Sequence, residues 1–248
     1  MKRSPMVLGL AVAAVLIAGA AGIYGFATLF LHPAPSAVSL DPSASQPAAS
    51  IGTLPTGAGS TLAAGLDGAW AVDTSVGSFA DFSDSWVGYR VDETLAGNRA
   101  NTAVGRTPDV TGTLTMSGTQ ITAVQINADL TSLKSDDNRR DGQLQRQALE
   151  TARFPQATFK LTSPIQLSAA PADGRTITAT ATGELTLHGV TKTVQVPIEA
   201  RLSGDVVTVV GSLEIQFADY SVDQPTSFAV LSIEDHGTME FQLHFRHQ

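Results

Sequence analysis

The strongest constraint on the fold is an alternation of apolar and polar residues that recurs from residue 70 to residue 248. In residues 124–130 and 239–245, every second side chain is apolar. A period of two residues is typical of a β-strand with one buried face. Shorter patterns of the same kind occur at residues 86–91, 110–116, 158–161, 177–187, 192–202, 206–217 and 228–233. About nine strands with short connections favour an all-β antiparallel barrel or sandwich.

One stretch, residues 135–155, breaks the alternation and predicts a short helix over one end of the barrel. Ser135 and Asp136 can cap its start, and Leu144 begins a row of apolar residues at helical spacing. Pro155 ends the helix, because proline cannot continue the hydrogen-bond pattern.

The same stretch contains Arg140, which is a candidate anchor for an anionic head group. A guanidinium group forms paired hydrogen bonds with phosphate and carboxylate oxygens. The alternative is local pairing of Arg140 with Asp137 or Asp141 on a solvated surface, where such ion pairs are common and weak.

The N-terminal residues 1–31 are predicted to be a membrane anchor. Residues 6–31 carry no charge, and about 20 apolar residues are enough to cross a bilayer as a helix. Lys2 and Arg3 precede this span, so we expect the N-terminus in the cytoplasm and the rest of the chain outside it. The alternative is a cleaved signal peptide, cut near the small residues 18–20, and secretion of the remainder.

Residues 32–68 are predicted to be a flexible tether between this anchor and the domain at residues 69–248. They are rich in Pro, Ala, Ser and Gly and contain no Lys or Arg. Such a composition buries too little apolar area to fold, and its prolines stiffen the chain.

Composition excludes several function classes. The net charge of −8 and the absence of a basic run argue against nucleic acid as a partner. The chain has 0 cysteines, which removes thiol nucleophiles and Cys-ligated zinc. No zinc-hydrolase or serine-hydrolase spacing occurs, and we predict His236 and Gly237 to form a hairpin corner. We therefore expect no catalytic residues, no metal and no cofactor.

Four segments resemble the bacterial YceI-like family: "WAVDTSVGSF" near Trp70, "ADLTSLKSDDNRRDGQL", "FPQATFKL" and "GELTLHGVTKTVQVPIEA". They occur in the family's order over nearly all of residues 70–245. The resemblance implies a lipocalin-like antiparallel β-barrel that binds a polyisoprenoid or another long-chain amphiphile inside it. It also implies that His188 and Gly189 form a hairpin turn, with ligand contact by His188 as the alternative.

The predicted ligand site combines an apolar wall with one polar anchor. Alternate alanines at positions 179 and 181 leave room if their face points inward. A one-residue error in register would exchange the two faces of a strand. The predicted site residues are Tyr89, Val124, Ile126, Leu130, Arg140, Leu144, Phe159, Leu185, Leu187, Val194, Val196, Phe241 and Phe245.

Two other function classes stay open at this point. A barrel filled by its own side chains would favour an envelope or stress-related protein-interaction module. A hydrolase would need a buried carboxylate beside a second acid or a histidine in a cleft, and no such pair is adjacent in the sequence.

Overall fold

The computed structural model describes residues 34–40, 65–225 and 230–248. The predicted anchor and its cleavage site lie outside these residues, as does most of the predicted tether. Residues 36–248 form one compact unit. Within the described ranges, no helix combines the length and the apolar character needed to cross a membrane.

This unit is an antiparallel β-structure with one short α-helix, as the sequence predicts. Helix α1 (Asn138–Gln143) continues into a π-helical turn (Leu144–Ala148). Two 3-10 turns lie at Leu130–Ser132 and Phe217–Tyr220. The strands are β1 (Gly68–Val72), β2 (Trp86–Leu95), β3 (Arg99–Thr107), β4 (Val110–Ser117), β5 (Gln120–Asp129), β6 (Gln156–Leu161), β7 (Ile165–Gln166), β8 (Thr176–Leu187), β9 (Val190–Ser203), β10 (Val206–Gln216), β11 (Val230–Ile233) and β12 (His236–His247).

Eight strands close into a barrel in the order β1-β4-β5-β6-β8-β9-β10-β12, because β12 pairs back with β1. The remaining edge of β12 is divided between two partners. Residues 238–242 pair with β2, and residues 245–247 pair with β1. Strand β2 also pairs with β3 and β11, so these three strands extend the sheet beyond the closed ring.

The sequence patterns miss three strands: β1, β3 and β7. Strand β7 has only two residues, too few to show an alternation. Strand β1 has only five residues, "GAWAV". In β3, five successive residues from Ala103 to Thr107 are all buried. A strand that is covered on both faces shows no alternation of apolar and polar residues.

The outer face of β12 contains a buried ion cluster formed by Glu240, Arg106 and Arg90. The Glu240 side chain is 1% exposed, and its Oε1 lies 3.1 Å from Arg106 Nη2 and 3.5 Å from Arg90 Nη2. The Arg106 guanidinium lies over the Trp86 ring, 4.0 Å from its centroid. Burial lowers the pKa of Arg106, although Glu240 opposes that shift.

The segment at residues 73–85 covers this cluster and is held to β12 by hydrogen bonds. Gln242 Nε2 donates to the carbonyl oxygens of Phe82 and Asp84 at 3.2 and 2.9 Å. The backbone N–H of His244 donates to Ser85 Oγ at 2.9 Å. These bonds satisfy polar groups that the segment would otherwise bury without partners.

A part of the predicted tether contacts the outer face of β9. The backbone N–H of Leu40 donates to Glu199 Oε2 at 3.0 Å, and Arg201 Nη2 donates to the Leu40 carbonyl oxygen at 2.6 Å. Residues 41–64 lie outside the described part of the chain, so the flexibility of the tether stays a prediction.

We expect Glu240→Gln to lower the free energy of unfolding by about 3–5 kcal/mol, because Arg106 would stay buried without a carboxylate partner. Arg246→Gln on the same strand is the control. Its pairs with Asp73 and Asp205 lie at the solvent-exposed surface, so we expect a much smaller loss than in Glu240→Gln. Urea denaturation measures both variants, and equal losses would contradict the importance of the buried cluster.

The lowered pKa of Asp73 predicts that the stability of the fold decreases at acidic pH. Hydrogen bonds from the Ser75 side chain, Arg246 and the Ser75 backbone lower the pKa of Asp73 from 3.8 to about 2. A carboxylate with a lowered pKa stabilises the fold above pH 4, and this stabilisation disappears as the pH falls through about 2. The difference in urea midpoint between wild type and Asp73→Asn should therefore shrink over that range; a difference independent of pH would disprove this assignment.

Candidate ligand-binding site

Three apolar cavities lie in a row inside the barrel, within the described part of the chain. The helix-side cavity has a volume of about 150 Å³, the central cavity about 100 Å³ and the far cavity about 50 Å³. We define them by representative lining residues: Tyr89, Arg140 and Leu149 for the helix-side cavity, Ile126, Ala181 and Phe245 for the central cavity, and Trp70, Ile177 and Leu202 for the far cavity.

Neighbouring cavities share wall residues, so each cavity is separated from the next by side chains and not by the backbone. The helix-side and central cavities share Val87, Ala157, Leu185 and Met239. Methionine is unbranched and fills irregular gaps, which makes Met239 the most adaptable of these four.

Small side chains on β8 help to keep this interior open. Ala181 lines the central cavity and Ala179 lines the far cavity. Thr178 and Thr180, which alternate with them, are exposed on the outside. The alanine face therefore points inward. The sequence alone did not decide this orientation, on which the room inside the barrel depends.

Most predicted site residues are brought together around two of these cavities. Val194 packs against the apolar core but is not among the residues that line the three cavities. That any of these residues contacts a ligand stays a prediction. The helix-side cavity is lined by Tyr89, Leu130, Arg140, Leu144, Leu185 and Leu187, and the central cavity by Val124, Ile126, Phe159, Leu185, Val196, Phe241 and Phe245.

Glu93, which is not among the predicted site residues, lines the helix-side cavity beside Tyr89. The position of Glu93 could have been predicted from the alternation of side chains along β2. Glu93 lies four residues after Tyr89 and therefore on the same face of the strand. A buried carboxylate at an inward position needs a partner.

That partner is Arg140. Its contacts are not with Asp137 or Asp141, the local partners considered above. Its Nη2 lies 3.1 Å from Glu93 Oε1, and its Nη1 is paired with Asp136. Burial alone would lower the pKa of Arg140, but the negative charges of Glu93 and Asp136 outweigh it and raise this pKa. The guanidinium is therefore firmly charged and has two carboxylate partners.

The alternative expected for Arg140, pairing with Asp137 or Asp141, is wrong, because both of these carboxylates have other roles. Asp137, not Ser135 or Asp136, caps α1 and accepts a bond from the backbone N–H of Arg139 at 2.7 Å. Asp141 is buried and accepts from both the backbone N–H and the hydroxyl of Ser135, at 2.9 and 2.6 Å.

The Tyr89 hydroxyl is the other notable polar group near the helix-side cavity. Its oxygen is buried and has no hydrogen-bond partner within the described part of the chain. Burial raises the pKa of Tyr89 well above its usual range, so the phenol is uncharged at neutral pH.

The hairpin turn at His188 and Gly189 is confirmed. Both residues have positive φ, 52° and 76°, which a tight two-residue turn requires. The imidazole Nδ1 lies 3.2 Å from the Tyr220 carbonyl oxygen, and Nε2 lies 3.1 Å from Glu150 Oε2. His188 is not among the residues that line the three cavities.

The predicted hairpin corner at Gly237 is wrong. Gly237 lies within β12 opposite Ile215, and a Cβ atom there would come within 2.7 Å of Val91 Cγ2. The glycine therefore permits close packing against Val91 and does not form a turn.

A group of potential metal ligands lies outside the three cavities. It consists of His236 and the exposed residues Glu234 and Asp235, whose possible ligand atoms lie within 4.8 Å of one another.

The YceI-like domain family model matches residues 70–245 of this sequence. The chain belongs to the YceI-like family. The match covers the barrel from β1 to β12, so the resemblance inferred from the four sequence segments is confirmed. No curated protein matches the chain.

Two solved structures resemble this YceI-like barrel at low sequence identity. One is a polyisoprenoid binding domain from Saccharophagus degradans implicated in plant cell wall breakdown: 20% identity, 73% of this chain and 100% of that chain covered, TM-score 0.55. The other is BcnA from Burkholderia cenocepacia: 20% identity, 70% and 98% covered, TM-score 0.52. At this identity the likeness supports the fold.

A filled variant tests whether the YceI-like barrel is hollow. We expect Ala181→Phe to remove xenon from the central cavity, because the larger ring occupies that space at a cost of about 1–3 kcal/mol in stability. Thr182→Phe, one residue along on the other face of β8, is the control and should retain xenon. Xenon-pressurised crystals report the occupancy; a wild-type crystal without xenon in this cavity would contradict the expectation.

Proposed function

We propose that this YceI-like protein binds a polyisoprenoid or another long-chain amphiphile inside its barrel and sequesters or carries it. The observation that supports this most is the row of apolar cavities along the barrel axis. A chain of isoprene units matches such a row in shape and polarity. The description of the S. degradans structure as a polyisoprenoid binding domain supports the same class of ligand.

The physical basis of binding is burial of apolar surface. Removing apolar area from water contributes roughly 25 cal/mol per Å². A dry cavity of about 150 Å³ accommodates a molecule the size of benzene. A long chain therefore has to connect the helix-side and central cavities, and we propose that displacement of Met239 opens this connection.

We propose that the protein binds without catalysing a reaction and without a cofactor. The two buried charged side chains beside the helix-side cavity, Glu93 and Arg140, pair with each other. Such pairing suits a site that orients a head group.

We propose that the barrel works outside the cytoplasm, attached to the cell membrane by residues 6–31. The uncharged span and the preceding Lys2 and Arg3 support this orientation. A lipid-binding barrel attached in this way faces the outer leaflet of that membrane and can take its ligand from there. Secretion after cleavage is the alternative.

Native mass spectrometry of the full-length protein from its own host's membrane fraction, followed by organic extraction, tests the proposal. We expect a stoichiometric long-chain amphiphile in wild type and in Thr182→Phe, and its loss in Ala181→Phe. A wild-type protein that is empty and takes up no added isoprenoid or fatty acyl compound would overturn the carrier proposal. The protein-interaction module would then be the better account.

A further inference from the structure

The geometry of the barrel indicates at which end a polar head group lies. The cavities narrow from about 150 Å³ beside α1 to about 50 Å³ at the opposite end. Trp70, Met116 and Leu202 line the far cavity and are all buried, so apolar side chains close that end. Arg175 and Arg201 also line it, but Arg175 is exposed and Arg201 donates to Thr176 and to the Leu40 carbonyl oxygen. The head group therefore belongs at the helix side.

The electrostatics of the helix-side cavity oppose a negatively charged head group. Arg140 is the one cation among its described lining residues, and it is paired with both Glu93 and Asp136. The Glu93 side chain is 5% exposed and also accepts a bond from Asn101 Nδ2 at 2.7 Å. Asp223 lines the cavity as well. Asp223 is exposed, so the buried balance is set by Arg140 and its partners, and Glu93 and Asp136 already satisfy the guanidinium before any ligand enters.

An anionic head group would have to displace Glu93 from Arg140. That carboxylate would then stay buried without its charged partner, next to a second anion, which is strongly unfavourable. Arg139 and Arg146, on the same helical segment, are not among the lining residues. Residues 226–229, outside the described part of the chain, are Thr, Ser, Phe and Ala and contribute no charge.

The uncharged polar groups of the cavity suit a neutral head group. Tyr89 and Thr238 both line it, and each carries a hydroxyl. The buried Tyr89 hydroxyl has no hydrogen-bond partner within the described part of the chain, and a buried donor gains free energy when it finds an acceptor. An alcohol, ketone, ester or amide oxygen offers that acceptor without adding charge.

We infer that the helix-side cavity selects amphiphiles with an uncharged head group over diphosphates and carboxylates that carry the same chain. This inference rests on the proposed function and names its ligand class. It also reverses the role first expected for Arg140, whose charge serves Glu93 and not an anionic ligand.

A competition experiment tests the inference. Full-length protein in detergent receives farnesol and farnesyl diphosphate in equal amounts, and native mass spectrometry measures the ratio of the two adducts. We expect the alcohol adduct to exceed the diphosphate adduct at least tenfold. Glu93→Gln removes one buried negative charge, and we expect it to shift the ratio at least tenfold toward the diphosphate.

Asp92→Asn is the matched control, because it makes the same change of charge one residue away on the opposite face of β2. Its side chain accepts from Thr102 Oγ1 on the exposed surface, and it does not line the cavity. We expect less than a twofold change in the ratio. Equal shifts in Glu93→Gln and Asp92→Asn would overturn the inference, since bulk charge would then explain both.

A second pair of probes keeps the test valid if Glu93→Gln fails to fold. Farnesoic acid and its methyl ester share the same chain and differ at the head group in charge and one methyl group, and wild type should prefer the ester at least tenfold. A wild-type preference for the diphosphate or the acid would overturn the inference while leaving the carrier function in place. Absence of all adducts would overturn the carrier function, and the inference with it.

Discussion

The divided edge of β12 is the constraint on which the rest of the structure depends. Strand β10 pairs with β12 along almost its full length, while the opposite edge is shared by β2 at residues 238–242 and β1 at residues 245–247. Pairing with β1 closes the ring and removes the free edges that an open sheet would expose. Pairing with β2 diverts a second set of strands away from that ring.

This division produces both of the protein's unusual environments. On the outer face, the diverted strands and the segment at residues 73–85 cover Glu240 and Arg106, so a charged pair is buried outside the barrel. On the inner face, β2 carries Tyr89 and Glu93 to the wall of the helix-side cavity. The same strand therefore separates a structural ion cluster from the candidate ligand site.

Alternation along single strands predicted an antiparallel barrel or sandwich and most of its inward residues, because one buried face leaves a direct mark on sequence. The resemblance to the YceI-like family then selected the barrel. The turn at His188 and Gly189 was equally local. The buried partner of Arg140 was not predictable in this way, since Glu93 lies 47 residues away in the sequence, on β2. The prediction of a turn at Gly237 was wrong for the same reason. The glycine is required by the close approach of Val91, a residue on another strand, and the neighbouring sequence does not show this contact.

The contact between Leu40 and β9 fixes one point of the predicted tether to the barrel wall. Both backbone groups of Leu40 take part, because its N–H donates to Glu199 and its carbonyl oxygen accepts from Arg201. Residue 40 therefore moves with β9 and not as part of a free linker.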